Sequence, residues 1–189
     1  AVGAAACSSG KAGAFLSESW GDGTRTEALH RKSFQLHLQL ADELGLKTFR
    51  TISAFRMNLE EYPESRTPVS GQHAQVDPAE LTNAFLDAAK ERGAKLGIGS
   101  VEGLNTEDGR VISVCLESGI NVPVKDDLVV AMGPWSCRVE DWLDIPVPVD
   151  GVLSTSLVWD NLEHDLEAAA LFCEDDSNGC NLEVIPRLN

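Results

Sequence analysis

The sequence predicts a mixed α/β fold in which a parallel sheet with an inserted β-meander is interleaved with a mostly antiparallel sheet. Three observations support this prediction. Apolar residues recur at helical spacing over residues 25–44 and again over residues 78–92. Short apolar runs separated by Asp-Gly and Ser-Gly turn signals follow over residues 95–124. The apolar run 127–131 then has the unbroken hydrophobicity of a strand that is covered on both faces in a parallel sheet.

The first helix is predicted over residues 25–44. The residues that recur at helical spacing on one side are Leu29, Ser33, Leu36, Leu40 and Leu44. Thr24 and Glu27 have the spacing of a capping box, in which two side chains accept hydrogen bonds from backbone N–H groups that the first turn leaves unpaired. Gly45 ends the helix, because glycine takes the left-handed conformation without a Cβ clash.

The second helix has the stronger end signals. Asp77 is the expected N-cap, Pro78 occupies the first helical position, and Glu80 completes another capping-box pattern. Gly93 ends this helix. The strands expected around the helices are 49–55, 73–76, 95–101, 110–117, 121–124, 127–131, 152–159 and 181–185, and a short helix is expected over 137–143.

Composition excludes several classes of partner. The 189 residues are 43% hydrophobic and 24% charged, which suits one or two globular units. Fifteen Lys and Arg against 30 Asp and Glu give a net charge of -15, so nucleic acid and anionic membrane surfaces are poor partners. No apolar run approaches the roughly 20 residues of a membrane span, and the small-residue start lacks the features of a signal peptide. We expect truncation at both ends, and the compartment stays open between the cytoplasm and an organelle lumen.

The cysteines and histidines predict neither a metal site nor a redox motif. The five cysteines are Cys7, Cys115, Cys137, Cys173 and Cys180, with no CxxC spacing. Reduced thiols are expected, and a Cys173–Cys180 disulfide remains an alternative. The four histidines are scattered, without metal-ligand spacing. The acidic segment 174–176 is expected to be a solvated loop.

Three stretches carry a possible cofactor chemistry, although hydrolase motifs and a complete dinucleotide fingerprint are absent. The first is the small-residue loop 8–16, where exposed N–H groups and a lysine can approach a diphosphate. The second is residues 74–78, which open the second helix and lead to a strand ending at Val101. The third is residues 127–136, a hydrophobic strand broken at a Gly-Pro-Trp turn. Taken singly, the first stretch can also be read as an ordinary flexible turn, and the second as a plain strand–helix–strand unit without a cofactor.

In this order and spacing the three stretches resemble FAD-dependent oxidoreductases of the D-amino-acid oxidase/glycine oxidase (DAO) superfamily. The resemblance implies an internal piece of such an enzyme, with the GxGxxG unit before residue 1 and the closing flavin loop after residue 189. The implied fold is α/β, a partial FAD-binding Rossmann-like domain interleaved with a mostly antiparallel substrate-domain sheet. Residues 1–48 and 73–145 would belong to the FAD-binding domain, and residues 49–72 and 146–189 to the substrate domain.

The resemblance also implies the residues that contact FAD. They are Ser8, Ser9, Gly10, Lys11, Ala12 and Gly13 in the first loop, Val101 beside the adenine, and Ala131, Met132, Gly133, Pro134 and Trp135 in the cofactor crevice. We expect loops 9–11 and 133–135 to converge on one cavity at the strand ends, because both are small-residue turns suited to a flat cofactor.

The full-length parent is expected to oxidise a small amine or amino acid by hydride transfer to the flavin. An amino-acid carboxylate needs a bidentate arginine, for which Arg187 is the first candidate and Arg50 and Arg56 follow. The fragment alone is expected to be inactive. The alternatives are a truncated, non-catalytic paralogue that serves as a binding or interaction module and, less favoured, a small NAD-binding domain.

Other polar and aromatic residues carry weaker expectations. The start-of-strand residue His73 is expected to be solvated, and His30 and His37 to pack within the first helix. The remaining tryptophans, Trp20, Trp142 and Trp159, are expected in the core or at an interface.

Overall fold

The computed structural model describes residues 3–58, 65–159, 167–173 and 182–187. The chain divides into two compact units, Leu96–Asn161 with the first three residues and Ala4–Lys95 with Leu162–Asn189. Helices and three sheets, one of them mixed and two antiparallel, occupy the described residues. The predicted mixed α/β class is therefore confirmed, whereas the predicted domain boundaries stay a prediction. Among the described helices, none has the length and apolarity needed to cross a membrane.

The Ala4–Lys95 unit contains a three-stranded antiparallel sheet. Its central strand, β5 (His73–Gln75), pairs with β1 (Phe15–Ser17) on one side and with β2 (Arg50–Thr51) on the other. All three residues of β5 are buried, including the polar side chains of His73 and Gln75. Because both polar side chains are buried, each must find a hydrogen-bond partner inside the unit.

A second sheet in the same unit joins segments that are distant in sequence. β3 (Ser53–Met57) runs parallel to β9 (Ala169–Cys173), and β4 (Thr67–Pro68) and β10 (Leu182–Val184) flank them antiparallel. Its buried core is formed by Ile52, Ala54, Ala170 and Phe172. The mostly antiparallel sheet predicted for residues 49–72 and 146–189 is therefore found only in part, because the central pair β3–β9 is parallel, β2 belongs to the other sheet, and residues 152–159 form no strand.

The described part of this unit contains three helices: α1 (Ser8–Lys11), α2 (Glu27–Glu43) and α3 (Pro78–Glu91). The capping box predicted at Thr24 is wrong, because α2 begins later, with Thr26 as its N-cap and no side-chain cap. The Thr24 hydroxyl is used in the preceding turn, where it donates to the Gly21 carbonyl and accepts from the Thr26 N–H. Glu27 instead accepts from the Gly23 N–H at 3.0 Å.

The start of α3 follows the sequence signals in part. Asp77 caps the helix by accepting from the Glu80 N–H at 2.8 Å, and Pro78 is the first helical residue. The Glu80 carboxylate does not reach back to Asp77. It accepts from the N–H groups of Lys47 at 2.7 Å and Thr48 at 3.0 Å, and from the Thr48 hydroxyl. Glu80 therefore joins α3 to the segment that follows α2.

The Leu96–Asn161 unit contains the predicted β-meander. β6 (Val101–Glu107), β7 (Arg110–Leu116) and β8 (Asn121–Pro123) form an antiparallel sheet. Asp108 and Gly109 both have positive φ, as a tight Asp-Gly hairpin turn requires. A 3₁₀ helix (Gly133–Arg138) continues into α4 (Val139–Leu143), which confirms the predicted short helix.

The predicted parallel strand–helix–strand piece over residues 74–134 is wrong in its pairing. β5 pairs antiparallel with β1 and β2, and β6 pairs with β7. Segments 95–100, 127–131 and 152–159 have no strand structure, and Val129 and Val152 are 83% and 94% exposed. Apolar sequence alone does not make a strand, because the backbone N–H and C=O groups also need a paired neighbour.

Candidate functional site

A cleft of about 500 Å³ opens in the Ala4–Lys95 unit. Its walls are β1 with the loop before it, α2, and residues of β9 and β10. The lining residues are Ala12, Gly13, Ala14, Phe15, Leu16, Ser17, Trp20, Leu29, His30, Ser33, Phe34, His37, Phe172, Glu183 and Ile185. The volume lies in the range of small-molecule sites, about 300–1,000 Å³.

The small-residue loop that precedes β1 forms one edge of this cleft. Gly10 lies against Ala5, whose carbonyl a Cβ at this position would overlap, so a side chain there is excluded. Gly13 presents bare backbone to the cleft, where a Cβ would come within 3.4 Å of Ile185 Cδ1. Ala14 is buried with a φ of 69°, a left-handed conformation that costs a non-glycine residue energy. Small side chains and an uncommon backbone thus shape this edge.

Three aromatic rings form one wall of the cleft. The ring centroid of Phe172 lies 4.9 Å from that of Phe15 and 4.8 Å from that of Trp20. Phe15 and Trp20 meet edge to face at 5.8 Å. Phe172 is buried, whereas Trp20 is 45% exposed and leaves part of its ring open to the cleft. The wall is apolar, with ring faces that a planar or cationic group can contact.

Two of the histidines line the cleft, and a third supports its wall. His37 Nδ1 lies 2.8 Å from the Ser33 carbonyl, which can only accept, so a neutral His37 keeps Nε2 free of a proton. His30 packs over Gly21, where a Cβ would clash with the imidazole ring. The expected packing role of both residues fits these contacts, and the structure adds their position in the cleft wall.

The expectation that His73 is solvated is wrong. Its side chain is buried, with Nδ1 3.1 Å from the Ser17 hydroxyl and Nε2 3.2 Å from the Val69 carbonyl. The imidazole also stacks on Phe15, with ring centroids 5.5 Å apart. A central strand of the sheet holds His73, and this tertiary position satisfies both ring nitrogens inside the protein.

Two of the candidate arginines, Arg187 and Arg50, contact both backbone carbonyls and side chains. Arg187 donates from Nη2 to the Ala12 carbonyl at 2.9 Å, and its Nη1 lies 3.8 Å from an Asp77 carboxylate oxygen. Arg50 donates to the Gln75 side chain at 2.9 Å and to the Pro186 carbonyl at 3.2 Å. Neither guanidinium lines the cleft. Both connect the C-terminal described segment to the loop and sheet beneath the cleft.

The remaining cofactor candidates lie in the Leu96–Asn161 unit. Val101 is the first residue of β6, and Ala131 and Met132 directly precede the 3₁₀ helix. That helix contains Gly133, with a φ of 57°, followed by Pro134 and Trp135, and the Trp135 side chain is 54% exposed. The convergence of this turn with loop 9–11 stays a prediction, because the two segments belong to different compact units.

The expectations about thiols and tryptophans are resolved in part. Cys7, Cys115, Cys137 and Cys173 are free thiols, and burial raises the pKa of the Cys173 thiol. Cys180 and the acidic segment 174–176 lie outside the described residues. Trp159 is 70% exposed and is therefore not a core residue of its unit.

Of the residues that line the cleft, sequence reasoning assigned only Ala12 and Gly13 to the site. Phe15, Phe172 and Glu183 were not among the predicted site residues, although each lines it. The sequence contains one signal for Glu183, the alternation of apolar and charged residues. Its neighbours Leu182 and Val184 are apolar, so in a strand the Glu183 side chain lies on the opposite face of β10 from both. Which face borders a cleft depends on the sheet that β10 joins, and pairing with β9 is a tertiary property.

Comparisons with known proteins agree with this fold. A family model described as FAD dependent oxidoreductase (DAO) matches residues 24–189. The structure is similar to an L-amino acid deaminase from Proteus vulgaris lacking its specific insertion, at 17% identity and TM-score 0.59 over 71% of this chain and 46% of that one. Glycine oxidase from Bacillus cereus ATCC 14579 is similar at 20% identity and TM-score 0.58, over 71% of this chain and 47% of that one. L-proline dehydrogenase from P. horikoshii is similar at 19% identity and TM-score 0.55, over 69% of this chain and 44% of that one. The chain thus spans less than half the length of each of these three proteins.

Proposed function

The chain belongs to the DAO family of FAD-dependent oxidoreductases, and from that premise we propose that its full-length parent oxidises a small amine or amino acid. The observation that carries the proposal is the 500 Å³ cleft, one edge of which is the small-residue loop 12–14. Relatives of similar fold are an amino-acid deaminase, a proline dehydrogenase and a glycine oxidase. A cleft of this size and apolar lining suits a small substrate beside a planar cofactor.

The residues around the cleft fit the flavin end of FAD. Gly13 leaves bare backbone at the edge, and three aromatic rings provide a flat apolar wall. In the proposal, Ala12 and Gly13 contact the flavin through their backbone, and residues 8–11 form the turn beside them. When bound, FAD supplies the two-electron acceptor for the substrate hydride.

The side chains of the cleft have binding and shielding roles in this proposal. The aromatic wall excludes water and orients the carbon–nitrogen bond of the substrate. Removal of a hydride from the carbon next to nitrogen gives an imine, and water hydrolyses this imine to a carbonyl compound. The free Nε2 of a neutral His37 can accept a hydrogen bond from the substrate amine. Arg187, the first candidate from the sequence for binding an amino-acid carboxylate, is not among the lining residues and holds the Ala12 carbonyl instead.

The test is flavin content in the full-length parent. A parent with a wild-type cleft is expected to purify yellow, with about one FAD per chain if a single site exists. Replacing Gly13 by Val places a branched side chain against Ile185 and into the cleft edge, so FAD content should fall. The control is Gly97→Val, because Gly97 has open space around its Cβ direction. A colourless parent, or equal FAD content in both variants, would contradict the proposed cofactor site and favour a non-catalytic binding module.

A further inference from the structure

We propose that the cleft selects a cationic amine with an apolar substituent and no carboxylate, in preference to an amino acid. This inference rests on the proposed function, because it names the substrate class of the same cleft. Three features of the described lining support it: the aromatic wall, the charge of the lining, and the contacts that the nearby arginines already make.

The aromatic wall is suited to an ammonium group. Phe15, Trp20 and Phe172 form one cluster, with centroid distances between 4.8 and 5.8 Å. A cation within about 6 Å of a ring centroid is attracted by the ring quadrupole, and tryptophan is the best partner. Trp20 has the most exposed ring of the three and borders the open cleft.

The charge of the lining is negative. Glu183 is the one carboxylate among the described lining residues, and neither Lys nor Arg occurs among them. Glu183 is the direct cross-strand partner of Phe172 in the β9–β10 pair. Directly opposed residues project on the same face of a sheet, so the carboxylate lies beside the aromatic wall. An ammonium group would meet a ring and a carboxylate together, whereas a substrate carboxylate would meet a like charge.

The arginines that could balance a substrate carboxylate are engaged outside the cleft. Arg187 contacts the Ala12 carbonyl and Asp77, and Arg50 contacts Gln75 and the Pro186 carbonyl. Bidentate binding of a carboxylate requires two N–H groups of one guanidinium, and the contacts above already occupy N–H groups of Arg187 and Arg50. The structure therefore assigns Arg187 a positioning role, because it fixes the loop that carries Gly13.

The remaining lining suits the rest of such a substrate. Leu29, Phe34 and Ile185 provide apolar contacts for an alkyl or aryl substituent. The Ser33 hydroxyl and the Nε2 of a neutral His37 are available to accept N–H bonds from an ammonium group.

The experiment compares 2-phenylethylamine with phenylalanine, which share a skeleton and differ by the carboxylate. Binding is measured by calorimetry on the full-length parent, and turnover by kcat/KM. The amine is expected to bind at least about tenfold more tightly than the amino acid. Glu183→Gln should weaken amine binding by about twofold to fivefold, as for an exposed ion pair. Trp20→Leu should weaken it by a similar factor, and the control Glu102→Gln, on exposed β6, should leave it unchanged.

The outcomes separate this inference from the proposed function. Tighter binding of phenylalanine than of the amine, an unchanged ratio of the two binding constants in Glu183→Gln, or no binding of either probe to a yellow parent would overturn the inference while leaving a flavoprotein. Amine selectivity in a colourless parent would support the inference and contradict the proposed function. Arg187→Gln should lower FAD content without changing the ratio of the binding constants for 2-phenylethylamine and phenylalanine. If this variant lost phenylalanine binding alone, the positioning role of Arg187 would be overturned.

Discussion

Glu80 offers a sharp test of how the tertiary structure is held together. Its carboxylate accepts from the Lys47 N–H through one oxygen, and from the Thr48 N–H and hydroxyl through the other. A glutamine in its place has only one acceptor oxygen, so its NH₂ group must face one of these donors. The substitution Glu80→Gln therefore loses one or two charge-assisted hydrogen bonds. Because the site is partly exposed, we expect a loss of about 1–2 kcal/mol in the free energy of unfolding.

The pH dependence of this loss has a definite sign. Burial raises the pKa of Glu80, but the hydrogen bonds from the Thr48 side chain and from the Lys47 and Thr48 backbones outweigh it, so the pKa is lowered from 4.5. A carboxylate with a lowered folded-state pKa contributes stability that is present above the unfolded-state pKa. This stability is lost as the pH falls through the folded-state pKa. The difference between wild type and Glu80→Gln should therefore be constant above about pH 5.5 and shrink below pH 4.5.

The assay is urea unfolding of the full-length protein at pH 7 and at pH values below 4.5, followed by circular dichroism. With a slope of about 1–3 kcal/mol per molar urea, the midpoint should fall by about 0.5–1 M at pH 7. The control Glu102→Gln makes the same chemical change on exposed β6 and should shift the midpoint little. An unchanged midpoint for Glu80→Gln, or a difference that grows at low pH, would refute the assigned hydrogen bonds.

Three further predictions follow from local contacts and from the extent of the chain. Asp77→Ala removes the α3 cap and should lower the free energy of unfolding in urea by about 1 kcal/mol. The control Asp126→Ala, at an exposed position, should not lower it, and equal losses in both variants would contradict the capping role. Gly10→Val forces a side chain into the Ala5 carbonyl and should lower stability by about 2 kcal/mol; a wild-type melting temperature would argue against that packing. The 189-residue chain alone should not retain FAD through gel filtration, because its sequence contains no GxGxxG fingerprint for the diphosphate, and a yellow chain would refute this.

The sequence by itself determined the elements whose signals are local. The α3 helix begins where Asp77 and Pro78 predict, since a cap and a proline act within one turn. The meander turns at Asp108 and Gly109, because a two-residue turn needs only its own backbone conformation. The family match covers two of the three motifs that the sequence suggested, those at residues 74–78 and 127–136. For the helix start and the hairpin turn, the deciding interactions span only a few residues.

Only the tertiary structure decided the pairings and the cleft. The apolar run 127–131 matched a buried strand but has no partner strand among the described residues, and β3 instead pairs with β9 across more than a hundred positions. His73 became buried because β5 is the central strand of its sheet. Arg187 reaches the Ala12 carbonyl over a separation of 175 residues. Such contacts depend on which surfaces meet after folding, and no local pattern of apolar or charged residues specifies that choice.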